Sequence, residues 1–344
     1  MSLFKKLDLE ELKETTELIE EAVVLPLSLT EKEYRDNPAV SNSDLNYYRK
    51  FGLDAYRLYK EKGIGKIQET EPMKLGTLIH CLILEPDKFN ERYYVFDGET
   101  PTTQQMKNFC KLLSEDEDIS VAYEKCYSVK SLSKKEVRER AKEKEDKLLP
   151  YIKSLKLSKD KVIINTEDLA KATEIVRKYE KANFIKTIAE TCGLDKDSLE
   201  LHSETMIFAK LLEIDIKGKI DLIINDKDGN YVIVDLKTSV NPFYDEFIKS
   251  IENYKYDREL AYYRSLLENE NRKSNNLNLN KLTNYKGCFI VAVSTLPPYG
   301  NNLYKFQEGV NSKLHTAHNN IIDDLFSLKY NMESLETIGG FIEV

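Results

Sequence analysis

The sequence contains no tryptophan, few cysteines and no long uninterrupted apolar segment. Its five cysteines are widely spaced and form no C-x-x-C pair, which argues against disulfides and against a structural zinc or iron–sulfur site. No apolar run reaches the roughly 18 residues of a membrane span, and the first residues lack the apolar core of a signal peptide. We therefore expect a cytoplasmic protein with no membrane partner.

Several common enzyme motifs are missing as well. The chain has no G-x-x-x-x-G-K-[ST] P-loop, no G-x-G-x-x-G after a strand, no G-x-S-x-G and no H-E-x-x-H. Its net charge of −8 argues mildly against a surface coated uniformly with nucleic acid. A local basic channel on an acidic exterior remains compatible with DNA binding.

The pattern that is present predicts an α/β layered fold. Two apolar runs, residues 219–224 and 231–237, are separated by Asp-Gly-Asn at 228–230, which predicts a β-hairpin. Other strands are predicted at 203–209, 212–216 and 287–295, and helices at 45–49, after an N-cap box at 41–44, and at 54–62, 75–84, 257–268 and 310–327. Short strands gathered between long helices are typical of layered α/β proteins.

The hairpin carries a group of charged residues that fits metal-assisted phosphodiester cleavage. Asp235 and Lys237 lie two positions apart on one strand, so their side chains share a face, and Asp221 lies on the neighbouring strand. Carboxylates bind Mg²⁺, and a lysine beside them can orient water or offset developing charge. A surface ion pair is the other interpretation of Asp-x-Lys on a strand, and the spacing alone does not decide between them.

Two further residues are candidates for the same site. His80 is the main polar group of an apolar helix that would pack on the hairpin, and a neutral imidazole is a good metal ligand. The alternative is a core histidine bonded to the backbone. Glu204 begins the strand at 203–209 and would either join the metal side or remain a surface acid at the strand end.

Other residues are candidates for contacts with DNA. In the helix at 257–268, Glu259 and Tyr263 lie four positions apart on one face and could reach the rim of the site. A packed aromatic face with an exposed acid is the alternative. Arg49 and Arg57 are N-terminal cations that could meet DNA phosphates, although this is a weak signal.

Six segments together resemble the RecE-type exonucleases of the PD-(D/E)XK superfamily. The GTxxHxxxLEP, GxxD and DxKT motifs of that family are similar to residues 76–86, 218–221 and 235–238. The other similar segments are SNSDL at 41–45 with its following helix, YDRELAYY at 256–263 and LPPY at 296–299. The chain departs from the family at Glu259, where a glutamine is usual, so the role of this helix in DNA contact is in question.

The resemblance implies a central mixed β-sheet flanked by helices, with two metal ions bound at one end of a restriction-endonuclease-like core. By position, it implies that Asp221, Asp235, Lys237 and Glu204 are catalytic and that His80 helps to bind metal. The backbone carbonyl of Leu236 would be another metal ligand. Mg²⁺ would be the cofactor, with Mn²⁺ able to replace it.

The resemblance also implies an overall organisation and a role. A nuclease domain at 38–330, with a charged helical insertion at about 100–160, would follow a helical extension at 1–37 and precede a tail at 331–344. The activity would be 5′→3′ digestion of linear double-stranded DNA in phage-type recombination, by a ring-like homo-oligomer working with a single-strand annealing protein. A RecB-like endonuclease, a single-strand nuclease or a non-catalytic DNA-binding protein remain alternatives.

Overall fold

The computed structural model describes residues 29–63, 65, 70–269, 271–274 and 282–337. Its helices are α1 (Glu31–Asp36), α2 (Asn42–Lys62), α3 (Glu71–Leu84), α4 (Phe89–Arg92), α5 (Gln104–Ser114), α6 (Ile119–Cys126), α7 (Lys134–Ser158), α8 (Thr166–Ala182), α9 (Phe184–Cys192), α10 (Tyr244–Tyr254), α11 (Tyr256–Glu268) and α12 (Lys313–Thr337). Its strands are β1 (Tyr93–Phe96), β2 (Val162–Asn165), β3 (Glu200–Leu211), β4 (Ile214–Asn225), β5 (Asn230–Ser239), β6 (Lys273–Ser274), β7 (Asn284–Ser294) and β8 (Asn301–Lys305).

The main sheet is mixed, as the family resemblance implies. Six strands lie in the order β6-β3-β4-β5-β7-β8. Only the β5–β7 pair is parallel among these described strands, and α10 and α11 lie in the connection between them. Parallel neighbours need such a crossover, whereas the antiparallel β3, β4 and β5 are joined by tight turns. A second, two-stranded sheet pairs β1 with β2 in parallel.

Helices cover both faces of the main sheet. On one face, residues of α2, α11 and α12, including Leu45, Leu260 and Ile321, form a cluster of buried side chains with the sheet. On the other face, α3, α8 and α9 contribute residues such as Ile79 and Ile175. Burial of apolar surface on both faces supplies the main stabilising free energy of this layer arrangement.

One predicted strand boundary is wrong. The segments predicted as separate strands at 212–216 and 219–224 form one long strand, β4. The turn before β4 is made by Leu212 and Glu213, which adopt left-handed φ values of 51° and 65°. Neither residue type favours that conformation, so no turn signal marks these positions in the sequence. Gly218 lies inside the strand, where a Cβ atom would collide with Leu266 of α11.

The charged helical segment forms a cluster of its own. Helices α5, α6 and α7 occupy the position of the predicted insertion, and their buried side chains include Phe109, Ala141 and Ile152. The domain boundaries stay predictions, and α12 continues past residue 330 to Thr337. The predicted extension lies largely outside the described residues, which begin with the chain leading into α1. Among the described helices, none is both long and apolar enough to cross a membrane.

Candidate active site

Three acidic side chains occur at matching positions on three adjacent strands. Pairing of Ser203 with Leu222 and of Thr205 with Ile220 places Glu204 of β3 beside Asp221 of β4. The register of β4 and β5 would likewise set Asp221 opposite Asp235, but pairing of these strands stops one residue earlier. The two strands therefore separate at the acids, and the gap between them becomes the candidate site.

The regular alternation of side chains is interrupted at the same place. Ile220 and Ile223, three residues apart, both belong to the cluster on the α11 side of the sheet, while Leu222 belongs to the opposite cluster. An undisturbed strand would send residues of odd separation to opposite faces. On β3, Glu204 has a left-handed φ of 49°. Such outliers are costly and concentrate at functional sites, and this one redirects the Glu204 side chain.

Asp235 and Lys237 are in direct contact, which confirms their predicted placement on one face. Lys237 Nζ donates to Asp235 Oδ1 at 3.0 Å and to Glu259 Oε2 of α11 at 2.9 Å. The hydroxyl of Tyr263 donates to the other oxygen of Glu259 at 3.0 Å. Burial opposes the charge on Lys237, but these two carboxylates outweigh it and hold its pKa well above the ordinary value. Lys237 is thus a fixed cation.

His80 reaches the site from the other side of the sheet. Helix α3 packs closely on β5 because Gly76 faces Thr238, and a Cβ atom there would approach Thr238 Oγ1 to 2.9 Å. This packing brings His80 Nδ1 to 3.7 Å from Asp221 Oδ2. Burial, aided by the charge of Lys237, lowers the pKa of His80 to about 4. The imidazole is therefore neutral near pH 7, the state required of a metal ligand.

Glu204 is held by a lysine that the sequence reasoning missed. Lys219 forms ion pairs with Glu204 and, at 3.0 Å, with Glu31 of α1. Burial raises the pKa of Glu204, and repulsion from Asp221 adds to this effect. A signal for Lys219 was present in the sequence, because Lys219 lies two residues from Asp221, the same spacing that separates Asp235 from Lys237.

The donor set fits a divalent cation. One ligand atom each from His80, Glu204 and Asp221 lie within 4.8 Å of one another. Asp221 Oδ2 accepts from the Leu236 backbone N–H at 2.8 Å, which fixes its orientation. Asp235 Oδ2 is buried and receives no hydrogen bond of acceptable geometry from the described residues, although Lys237 Nζ lies 2.8 Å away. Carboxylate oxygens with one imidazole suit Mg²⁺ or Mn²⁺.

Metal affinity should rise with pH through the titration of Asp221. Burial raises the pKa of Asp221 to about 6 against the opposing charge of Lys237. At pH values below this pKa, a metal ion must displace the proton of the Asp221 carboxyl group. The apparent metal affinity should therefore fall by up to about tenfold for each pH unit below about 6. Calorimetric titration with Mn²⁺ at about pH 5 and about pH 7.5 measures this. Equal affinities at both values would contradict the assignment of Asp221 as a ligand.

Of the other residues predicted from the sequence, some contact the candidate site and others do not. Tyr263 contacts the site through Glu259, and Leu236 contributes its N–H, while its carbonyl as a ligand stays a prediction. Arg49 is bound to Asp324 of α12 at 3.2 Å. Arg57 lies on α2 and forms no ion pair with any described residue. Contact of either arginine with DNA stays a prediction.

Comparison with known proteins identifies the fold. The model of a family described as a PDDEXK-like domain of unknown function (DUF3799) matches residues 48–333, most of the chain. A crystal structure from Eubacterium rectale, of a protein described as a candidate exonuclease, is 13% identical. The similarity covers 92% of this chain and 88% of that chain, with a TM-score of 0.43. The crystal structure of SSO0001 is 14% identical over 55% of this chain and 70% of that chain, with a TM-score of 0.23. No curated protein matches the chain.

Proposed function

The chain belongs to the PDDEXK-like family DUF3799, and we propose that it is a Mg²⁺-dependent deoxyribonuclease that digests linear double-stranded DNA as an exonuclease. One observation carries the proposal. Three ligand atoms, from His80, Glu204 and Asp221, lie close enough together for a single cation. The buried Asp235 precedes Leu236, whose N–H donates to Asp221, and has Lys237 at its side. Asp235 and Lys237 come from one strand, the arrangement for which the superfamily is named.

The chain's own residues have separable tasks in this proposal. A bound Mg²⁺ would supply Lewis acidity and a more acidic water molecule. His80, Glu204, Asp221 and Asp235 would hold the cation, and the Leu236 N–H keeps Asp221 oriented. Lys237, kept cationic by Asp235 and Glu259, is positioned to orient the attacking water or to offset charge that develops on the phosphate.

The finer assignments rest on the resemblance of the six sequence segments. We propose 5′→3′ polarity, a role in phage-type recombination, cooperation with a single-strand annealing protein, a ring-like homo-oligomer and a cytoplasmic location. The absence of a suitable membrane-spanning helix among the described residues is compatible with that location. A ring would favour processive digestion because it encloses the DNA.

Cleavage assays on defined DNA separate the proposed activity from its alternatives. The purified protein is incubated with linear duplex labelled at either the 5′ or the 3′ end, with single strands and with covalently closed circles, each with and without Mg²⁺. We expect Mg²⁺-dependent release of mononucleotides from the 5′ end of linear duplex and no cleavage of circles. Cleavage of circles would indicate an endonuclease, a preference for single strands would indicate the single-strand alternative, and binding without cleavage would indicate a non-catalytic protein.

His80→Ala should weaken metal binding. The loss of a neutral imidazole from the donor set should lower Mn²⁺ affinity by about tenfold or more, the scale expected for the ligand environment of a metal. The cleavage rate should fall with it, and the melting temperature of the metal-free protein should change little. His202→Ala is a useful comparison, because His202 is a buried histidine bonded to Asn225. Unchanged Mn²⁺ affinity in His80→Ala would make His80 a core residue.

Glu259→Gln should preserve cleavage to within about tenfold, since an amide oxygen can still accept from Lys237 while Tyr263 accepts from the amide nitrogen. Removing one negative charge should also tighten DNA binding, more at low salt than at high salt. Single-turnover cleavage and DNA binding at two salt concentrations measure both effects. Complete loss of cleavage would mean that the carboxylate acts as a metal ligand or a base.

A further inference from the structure

Two stacked tyrosine rings extend from Lys237 to the protein surface. Lys237 Nζ lies 4.9 Å from the centre of the Tyr256 ring. The Tyr254 ring stacks on Tyr256, with a centroid distance of 5.7 Å and an angle of 21° between the planes. Tyr254 remains 68% exposed although one of its faces is covered by Tyr256. An exposed aromatic face therefore lies one ring beyond the lysine of the candidate site.

The backbone fixes this stack. Lys255 separates helices α10 and α11 and adopts a left-handed φ of 59°, which is unusual for a residue with a side chain. This conformation ends α10 at Tyr254 and begins α11 at Tyr256, and the two rings stack on each other. The inner ring is further held by Phe247 of α10, whose centroid lies 6.1 Å from that of Tyr256. The outer ring is consequently presented in a defined orientation.

We infer that Tyr254 is a stacking site for a nucleobase of the DNA strand that is cut. This inference rests on the proposed nuclease function and adds a subsite to it. Aromatic side chains stack on any base because every base has a π-face, and such platforms commonly adjoin cations that contact the phosphates. Lys255 is exposed directly beside Tyr254 and can supply that cation.

Stacking on Tyr254 also requires a base with one face free. A base inside a duplex has both faces covered by its neighbours, so it has no free face for a protein ring. Only a terminal or unstacked base can stack on Tyr254. The site would therefore hold a nucleotide at the end of the strand, or one separated from its partner, next to the residues that cleave it. A protein contact made by Tyr254, for example with a second copy of this chain, is the competing explanation.

Abasic substrates test the inference directly. Linear duplexes carry a tetrahydrofuran abasic nucleotide at one position near the cleaved end, with a different position in each substrate. Binding is measured in Ca²⁺ and single-turnover cleavage in Mg²⁺, for wild type, Tyr254→Ala and Tyr254→Phe. Tyr330→Ala is the matched control, since Tyr330 is a 65% exposed tyrosine on α12. Light scattering measures the oligomeric state of each variant.

We expect wild type to lose about tenfold in binding and cleavage at one abasic position, the scale of one stacked base. On unmodified DNA, Tyr254→Ala should bind and cleave about as weakly as wild type does on the substrate with that abasic position. On the abasic substrate itself, Tyr254→Ala should show no additional loss of binding or cleavage. Tyr254→Phe and Tyr330→Ala should match wild type.

The inference is overturned if wild type binds and cleaves every abasic substrate as well as unmodified DNA, or if Tyr254→Ala binds and cleaves unmodified DNA as well as wild type. It is also overturned if the loss caused by Tyr254→Ala adds to the loss caused by the abasic nucleotide. An altered oligomeric state in Tyr254→Ala with unchanged base dependence would assign Tyr254 to a protein contact instead. If wild type fails to cleave in Mg²⁺, the proposed nuclease function is wrong, and the binding series in Ca²⁺ still decides whether the ring stacks on a base.

Discussion

Asp235→Asn is expected to abolish Mg²⁺-dependent cleavage without unfolding the protein. Asp235 is 1% exposed, bonds Lys237 and is one of the proposed metal ligands, so its loss should affect both the cation and the lysine. We expect a rate lower by on the order of 10⁴-fold, the scale seen when one member of a cooperating catalytic group is removed. Single-turnover cleavage of linear duplex measures this loss.

The same substitution should not destabilise the metal-free protein. Asp221, Glu204 and Asp235 are crowded acids, and burial raises the pKa of all three. Replacing one by a neutral isostere relieves repulsion, so the melting temperature should stay the same or rise, as is common for residues retained for activity. Asp215→Asn is the matched control, because Asp215 lies on β4 with a side chain 73% exposed. Cleavage by Asp235→Asn near the wild-type rate would rule out the proposed site.

Lys237→Met is expected to lower the cleavage rate by about 10²- to 10³-fold, the typical loss of one group that stabilises transition-state charge. The lysine is fixed by Asp235 and Glu259, and it has no role in our account in holding DNA. DNA affinity should therefore change little, so that the loss is confined to the chemical step. Binding in Ca²⁺ and single-turnover cleavage in Mg²⁺ separate these two quantities.

The stability of Lys237→Met provides an additional readout. Without the ammonium, the carboxylates of Asp235 and Glu259 lose their shared cation, so the metal-free variant should melt at a lower temperature than wild type. Divalent metal should restore part of that loss. Lys210→Met is a suitable control, since Lys210 is an exposed lysine of β3. A large fall in DNA affinity with an unchanged rate constant would contradict the assigned role.

Much of the sheet was predictable because its strands follow simple patterns. The Asp-Gly-Asn turn and the apolar runs around it identify β5 and the end of β4. Asp235 and Lys237 were placed on one face by alternation alone, and their contact agrees with this. His80 could be assigned to the same region because it interrupts an apolar helix.

The remaining features depend on local departures from those patterns. Glu204 and Asp221 lie where alternation fails, and no periodicity predicts a left-handed glutamate inside a strand. Glu259 was expected at the rim near DNA, whereas its carboxylate contacts Lys237. That contact depends on the close packing of α11 on the sheet, which the absence of a side chain at Gly218 permits. The sequence alone does not predict how closely the helix packs.

Anomalous diffraction from crystals soaked in Mn²⁺ shows whether a divalent cation binds at the proposed site. We expect His80, Glu204, Asp221 and Asp235 to hold that cation together beside Lys237. Wild-type crystals should then show an anomalous peak among these side chains, and Asp221→Asn crystals should lose it. A peak elsewhere, or wild-type crystals with no peak at this position, would contradict the proposed metal site.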